Sequence, residues 1–324
     1  MCHVQTVCTV LVILSASHAV AGEKASPEEL EAIAKLKRTG FRISPDDKKK
    51  PNQPARIVSH ENLKSRELLT PIGQLKSVEE LWLKYGTYHD DALEMIKDIA
   101  TLKGIRLEFN RNVQDAGLAH LAKLDKLERL SLTHVGVTDA GMKHLAKLKS
   151  LTSLGLQGAK VTGAGLAELK PLKLKMLNLD GATIDDDALK AIGAMHDLES
   201  LALGFTKITD QGLEHLAGLS KLKFLRFNDT KLTGVGLKHL KNAPLRELHL
   251  YDAQINDEGL RSLADLKAAK FDYLNLNGNK GITDRGIDAF EGLRIQSLEL
   301  GRTSITKEGQ ERVKMMRGIR FPRF

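Results

Sequence analysis

Hydrophobic positions recur along most of the chain with a period close to 24 residues. The recurring phrase is close to L-x-x-L-x-L-x-x-T-x-I-T-D-x-G-L-x-H-L-x-x-L-x-x, and it occurs about ten times. The second leucine of each L-x-L pair marks a unit: Leu83, Phe109, Leu132, Leu156, Leu179, Leu203, Phe227, Leu250, Leu276 and Leu300. A degenerate unit from Ile57 to Val78 brings the series to about eleven. Self-similarity at a fixed period predicts a repeat architecture.

Each unit predicts one strand and one short helix. The L-x-L segment alternates apolar and polar residues, which is typical of a short strand with one face in a core. After the Thr-Asp-x-Gly-Leu segment, Leu213, Leu216 and Leu219 follow at helical spacing. We expect the Thr or Asp at the helix start to accept hydrogen bonds from helix N–H groups. A single unit cannot bury its leucines, so stacked neighbours must complete the core.

Two segments carry the repeat phrase most fully, Gly278-Asn279-Lys280-Gly281-Ile282-Thr283-Asp284 and Gly301-Arg302-Thr303-Ser304-Ile305-Thr306. On these residues the chain resembles leucine-rich repeat proteins of the ribonuclease-inhibitor-like type, especially bacterial secreted ones with G-T-x-I-T-D-x-G-L repeats. The resemblance implies an α/β fold, a right-handed leucine-rich repeat solenoid or horseshoe. Parallel strands are expected on its concave face and short helices on its convex face. The chain is also similar to the repeat arrays that follow F-box motifs in ubiquitin-ligase adaptors, although no F-box-like helical segment precedes its array.

Many members of this family place Asn or Cys three residues after the second strand leucine. Here the position holds Asn112, Val135, Ala159, Ala182, Thr206, Thr230, Ala253, Asn279 and Thr303. A continuous ladder of asparagines is therefore absent. We expect Thr hydroxyls and turn backbone to satisfy the loops instead.

The N-terminus predicts export. Val7 to Leu14 is an apolar or threonine-containing run, and Ala19-Val20-Ala21 offers small residues at an A-x-A cleavage site. These features predict a signal peptide over residues 1–21, cleaved after Ala21, and a periplasmic or secreted protein. The alternative is an uncleaved hydrophobic N-terminus, since no Lys or Arg lies near its start. Both cysteines fall inside this segment, and no later stretch reaches the roughly 18 apolar residues that a membrane span needs.

Three further segments complete the predicted organisation. Residues 22–54 are expected to form a helical cap and an exposed loop, because Ser26-Pro27-Glu28-Glu29 reads as a capping box and Gly40 can end the helix. Residues 41–43 are expected to add a strand. Residues 55–314 are the repeat array, and residues 315–324 are expected to be a basic C-terminal tail.

The net charge and the motifs of the chain limit the classes of partner and activity that we expect. A net charge of +8 favours weak attraction to acidic envelope polymers or acidic proteins. Nucleic acid is not an expected partner, because aromatic and basic residues do not interleave as stacking platforms do.

The sequence has no G-x-S-x-G elbow and no H-E-x-x-H motif, so we expect neither catalysis nor a cofactor. Four histidines recur at one helix position, but stacked helices about 10 Å apart place them too far apart for a shared metal: His120, His144, His215 and His239.

The concave face holds the candidate ligand-binding residues, because residues there vary without harming the core. The main predicted patch comprises Phe224, Arg226, Asn228, Glu247, His249, Tyr251, Tyr273, Asn275 and Asn277. A secondary patch comprises Trp82, Lys84, Arg106, Glu108 and Asn110. Tyr, Arg and Asn are enriched in binding hot spots and adaptable polar contacts.

We therefore interpret the chain as a non-catalytic recognition module that binds another protein through this concave face. One alternative is binding of envelope polysaccharide or glycan, with Trp82, Tyr251 and Tyr273 stacking on sugar rings. Another is the substrate-recognition arm of a ubiquitin-ligase-like adaptor.

Overall fold

A computed structural model describes residues 25–44, 56–266 and 269–324. The predicted signal peptide and most of the predicted loop before the array lie outside these residues. Within them, the strands form one sheet of thirteen whose spatial order equals their order in sequence. The strands are β1 (Arg42–Ser44), β2 (Ile57–Glu61), β3 (Glu80–Lys84), β4 (Gly104–Glu108), β5 (Arg129–Ser131), β6 (Ser153–Gly155), β7 (Met176–Asn178), β8 (Ser200–Ala202), β9 (Phe224–Arg226), β10 (Glu247–His249), β11 (Phe271–Asn275), β12 (Ile295–Glu299) and β13 (Ile319–Arg323).

A short helix or helical turn follows most strands. The α-helices are α1 (Pro27–Arg38), α2 (Asp91–Glu94), α3 (Asp115–Leu121), α4 (Asp139–Leu145), α5 (Gly163–Glu168), α6 (Asp186–Gly193), α7 (Asp257–Arg261) and α8 (Lys307–Lys314). The 3₁₀ helices span Arg66–Gln74, Asp210–Leu216, Val235–Leu240, Ser262–Asp265 and Ile287–Phe290. From β2 to β13 all strand pairs are parallel, and only β1 pairs antiparallel, with β2. The predicted α/β solenoid is confirmed.

The leucines of successive repeats stack in register and form one continuous core. One marker residue was assigned wrongly, because Leu83 pairs with Leu107 rather than with Phe109. Leu107 is fully buried, whereas the side chain of Phe109 is 39% exposed and its φ is +59°. Ile105 and Leu107 of β4 and the following Phe109 form three alternating apolar positions, which allow two registers. The strand pairing selects the earlier one.

The loop position three residues after the second strand leucine therefore holds Asn110, not Asn112. Asn110 is fully buried, and its amide donates to the carbonyls of Leu83 and Glu108 at 2.9 and 3.1 Å. In other repeats a Thr hydroxyl takes over: Thr206 and Thr230 donate to the carbonyl three residues earlier at 2.6 and 2.7 Å. In these repeats the expectation that Thr hydroxyls satisfy the loop is confirmed.

The N-terminal helix closes the apolar end of the array. Ser26 and Glu29 form the predicted capping box, with both backbone N–H to side-chain distances at 3.2 Å. Glu29 also accepts a hydrogen bond from the N–H of Lys76 at 2.9 Å, which ties this helix to the first repeat. Gly40 follows the helix with φ +92°, and the predicted strand after it is β1. At the other end, β13 lies within residues 315–324, so half of the segment expected to be a tail extends the sheet.

Each loop after strands β2 to β12 contains at least one residue in the left-handed conformation. After β3 to β12 one such residue comes two residues after the second buried apolar residue of the strand segment. With Asn62 after β2, these residues form a column along the edge of the array. Its members are Asn62, Tyr85, Phe109, His134, Gly158, Gly181, Phe205, Asp229, Asp252, Gly278 and Arg302. Such φ values favour Gly or Asn, yet the column carries several large side chains.

Candidate functional site

The nine residues of the main patch form a three-by-three grid on the concave face. Strands β9, β10 and β11 are neighbours, and their register aligns Phe224 with Glu247 and Tyr273. The same register aligns Arg226 with His249 and Asn275. The third row lies two residues beyond the end of each strand and comprises Asn228, Tyr251 and Asn277. The structure thus brings the predicted patch residues together.

Aromatic rings form a zigzag row across the three strands of this grid. The ring centroids of Phe224 and His249 lie 5.1 Å apart, and those of His249 and Tyr273 also lie 5.1 Å apart. The guanidinium of Arg226 lies 5.4 Å from the centroid of the Phe224 ring and forms a 2.9 Å ion pair with Asp180. Only 13% of the Arg226 side chain is exposed. The row is therefore a packed, largely apolar strip rather than a set of independent polar side chains.

The central imidazole is held in its neutral form. Burial lowers the pKa of His249 below its ordinary value of 6.5, and the positive charge of Arg226 lowers it further. Glu247, with an oxygen 3.5 Å from Nε2 of His249, acts in the opposite direction. Burial also raises the pKa of the Tyr273 hydroxyl, to which Asn275 donates a hydrogen bond at 3.2 Å. The strip carries little charge near neutral pH.

The third row of the grid is partly structural. Oδ1 of Asn228 accepts from the N–H of Tyr251 at 3.0 Å, and Oδ1 of Asn277 accepts from the N–H of Gly301 at 2.6 Å. These two amides hold the loop of the following repeat. Tyr251 stays available at the rim, where the guanidinium of Arg302 lies 5.0 Å from its ring and donates to its hydroxyl. Arg302 was not among the sequence candidates, because its loop position gives no sign of pointing toward the patch.

The secondary patch is smaller than predicted. Arg106 lies over the Trp82 ring at 4.7 Å, and Lys84 forms a 2.7 Å ion pair with Glu108. Asn110 is not a surface residue, since it is fully buried and satisfies backbone carbonyls. The prediction that it contacts a ligand is wrong, and the register error at Phe109 is its cause.

Sequence reasoning missed an aromatic ridge beside this secondary patch. The rings of Tyr85 and Phe109 are nearly parallel with centroids 5.0 Å apart, and the ring of His134 lies 4.9 Å from that of Phe109. All three occupy the left-handed column. Tyr85 is 51% exposed. The sequence does carry a signal for this ridge. At the left-handed loop position, where Gly or Asn is favoured, three consecutive repeats have an aromatic ring instead.

Metal-binding groups and membrane-spanning helices can be assessed for residues 25–44, 56–266 and 269–324. These residues contain no group of three or more His, Asp or Glu side chains arranged to hold a metal ion. Within the same ranges, no helix combines the length and the apolar character that crossing a membrane requires.

Comparisons with known proteins agree with this architecture. The leucine-rich repeat family matches residues 194–217, 241–264 and 270–290. None of the curated proteins matches the chain. An internalin from Listeria monocytogenes strain 4b F2365 has a similar structure, with a TM-score of 0.55 and 19% identity, over 94% of this chain and 100% of that chain. Internalin C2 of the same strain gives a TM-score of 0.48 and 22% identity, over 68% of this chain and 92% of that chain.

The leucine-rich repeat family model thus matches three segments of the array, and the sheet has the strand order of a leucine-rich repeat solenoid. The first of the two internalin structures shares its fold, which is a leucine-rich repeat solenoid.

Proposed function

We propose that the chain is a non-catalytic recognition module, exported from the cell, that binds another protein through the C-terminal part of its concave face. The observation that carries the proposal is the aromatic strip of Phe224, His249 and Tyr273, flanked by Tyr251 at the rim. A rigid curved sheet presents such a strip without any loss of loop entropy on binding.

The strip has the make-up of an interface centre. Protein interfaces place aromatic and Arg side chains in a core with little free charge and surround them with a polar rim. Here the Arg226 guanidinium is paired with Asp180, and His249 is neutral. The rim carries Glu247, Asn275 and the Arg302–Tyr251 pair. The neighbouring strand toward the middle of the array, β8, presents the small side chains of Ser200 and Ala202, which leaves room for a partner's surface.

Site-specific photo-crosslinking tests this assignment. p-Benzoylphenylalanine replaces Tyr273 in one variant and Met176 in another. Met176 occupies the equivalent strand position on β7 and is 39% exposed, so it is a matched control on the same face. We expect the probe at position 273, but not at 176, to form an adduct with a protein after irradiation in envelope extract.

Three results would contradict the proposal. Equal adduct yields at both positions would mean that the concave face contacts other molecules nonspecifically. No protein adduct at position 273 would remove the patch as the contact. An adduct that resists protease digestion but is removed by glycosidases would favour the polysaccharide alternative.

A further inference from the structure

A row of exposed cations runs along the edge of the array where the chain leaves the sheet. The row is the loop position two residues beyond each left-handed residue. In chain order it holds Lys64, Thr87, Arg111, Gly136, Lys160, Thr183, Lys207, Lys231, Gln254, Lys280 and Ser304. All eleven are exposed, six are cationic and none is acidic. We call this row the cationic edge.

The charges of the cationic edge are not neutralised within the described part of the chain. None of its six cations lies within ion-pair distance of a carboxylate there. The opposite edge of the sheet behaves differently: Lys223 pairs with Glu199 at 2.7 Å and Arg246 with Asp272 at 2.8 Å. Cations on that edge are matched by acids in adjacent repeats, whereas the cationic edge leaves its field open to solvent.

The spacing of the row is regular. Lys64, Arg111, Lys160 and Lys207 follow β2, β4, β6 and β8, so each is two strands from the next. With parallel strands about 4.8 Å apart, successive charges lie about 10 Å apart along a line of about 30 Å. The backbone fixes this line, because the N–H groups of Lys160 and Lys207 donate to carbonyls of the preceding repeat at 3.3 and 3.2 Å.

We infer that the cationic edge binds a linear acidic polysaccharide laid across the repeats. A hydrated polymer with charges at regular intervals matches a regularly spaced row of cations separated by hydroxyl-bearing residues such as Thr87 and Thr183. The adjoining left-handed column carries no acid between Asn62 and Phe205, so the path from Lys64 to Lys207 is free of repulsion from that side. This inference goes beyond the proposed function, since it uses another surface and another class of partner.

Two other partner classes fit the cationic edge less well. A protein interface needs an apolar centre, and this row contains no apolar side chain. Single-stranded nucleic acid needs free aromatic faces on which bases stack. In the adjoining column, the rings of Tyr85 and Phe109 stack on each other with 15° between their planes, so one face of each is occupied. The next phenylalanine of the column, Phe205, is four repeats away from Phe109, so these rings do not form a continuous series of free faces.

Binding of polygalacturonate, a linear carboxylated polysaccharide, tests the inference. The edge variant carries Lys64→Gln, Arg111→Gln, Lys160→Gln and Lys207→Gln. A control variant loses the same charge from four exposed lysines of the helical side, through Lys123→Gln, Lys126→Gln, Lys143→Gln and Lys147→Gln. We expect biolayer interferometry at low salt to show binding about tenfold weaker or more for the edge variant and changed by about twofold or less for the control.

The outcomes are distinct. Equal weakening in both variants would overturn the inference, because net charge alone would then explain binding. No binding by the unaltered chain would also overturn it, because the chain would then have no site for this polymer. Tighter binding of poly-L-glutamate or of single-stranded DNA, lost in the edge variant, would overturn the polysaccharide class. Tyr273→Ala should leave polygalacturonate binding unchanged whether or not the concave patch binds protein. Weakening by that variant would place the polymer on the concave face instead.

Discussion

The carboxylate of Asp115 binds Thr138 of the following repeat through both of its oxygens. Oδ1 accepts from the N–H of Thr138 at 2.8 Å, and Oδ2 accepts from its hydroxyl at 2.6 Å. The hydroxyl of Thr138 in turn accepts from the N–H of Ala140 and caps helix α4. The same Asp–Thr pair recurs in Asp139–Thr162, Asp186–Thr209, Asp210–Thr233, Asp257–Thr283 and Asp284–Thr306.

This pairing explains the T-D-x-G phrase, because the Asp of one repeat binds the Thr of the next and so joins the two repeats. A Cβ on Gly141 would lie 2.5 Å from Oδ1 of Asp115, and one on Gly212 would lie 2.4 Å from Oδ1 of Asp186. The glycine is therefore required because the carboxylate of the preceding repeat occupies the space. Removing one Asp should weaken the contact between two repeats rather than one helix.

The three aspartates at the start of α6 provide an internal comparison. Asp186 accepts two hydrogen bonds from Thr209, whereas Asp185 is exposed and makes no side-chain cap bond. We expect Asp186→Ala to reduce the free energy of unfolding by about 1–3 kcal/mol, as loss of a charge-assisted pair does. Asp185→Ala should change it by less than about 0.5 kcal/mol. Urea denaturation measures both, and equal effects would mean that the inter-repeat bond contributes nothing.

The last Asp–Thr pair predicts a contribution to acid stability. The hydroxyl and then the N–H of Thr306 hold the pKa of Asp284 below its ordinary value of 3.8. Since the folded-state pKa is the lower one, the contribution is fully present above pH 3.8 and is lost as the pH falls through the folded value. Melting temperatures of the unaltered chain and Asp284→Asn should therefore converge as the pH falls below about 4. A constant difference between them down to pH 2 would contradict the prediction.

The central histidine of the concave strip predicts a second pH effect with the same sign. Burial and Arg226 hold the pKa of His249 below 6.5, so protonation favours the unfolded chain. Stability from this site is present above pH 6.5 and decreases as the pH falls through the folded-state pKa. We expect the NMR titration midpoint of the His249 ring to lie below 6.5, the ordinary value for a histidine side chain. A midpoint at or above 6.5 would show that the strip is more open than its geometry indicates.

The left-handed column predicts a stabilising substitution. Phe205 has φ +58° and is 59% exposed. Asn adopts this conformation more readily, so Phe205→Asn should raise the free energy of unfolding by about 0.5–1 kcal/mol. Phe109→Asn is the comparison, because Phe109 also loses ring contacts with Tyr85 and His134 and should gain less. Thermal denaturation checks both, and a clear loss of stability for Phe205→Asn would disprove the strain argument.

Sequence periodicity predicted the strands, the helices and the grid of Phe224, His249 and Tyr273, because all of these follow from residues within one repeat and its register. Register itself was ambiguous where a strand had three alternating apolar residues, as at Ile105, Leu107 and Phe109. Because of that ambiguity, Asn110 was predicted to lie on the surface, whereas it is buried in the core. Contacts between repeats were harder to predict, since Asp186 and Thr209 both suit the start of a helix and nothing local shows that they bind each other.

Buried loop asparagines should be among the most sensitive polar residues of the array. Asn279 is 1% exposed, accepts from the N–H groups of Ala253 and Ile255 at 3.1 and 2.8 Å, and donates to the carbonyls of Leu250 and Leu276 at 2.7 and 2.8 Å. Asn279→Ala leaves buried donors and acceptors of two repeats without partners. Each such group costs about 1–3 kcal/mol, so we expect a loss of at least about 3 kcal/mol.

Thr230→Val is the matched control for Asn279→Ala. It removes one hydroxyl that donates to the carbonyl of Phe227 at 2.7 Å, in a side chain of similar shape. We expect a loss of about 1 kcal/mol, because a single hydrogen bond contributes about that much. Hydrogen exchange locates the damage: Asn279→Ala should raise exchange at Ala253 and Ile255 selectively, since their N–H groups lose their acceptor. Uniformly raised exchange along the array would instead indicate that the asparagine acts on global stability and not on its own loop.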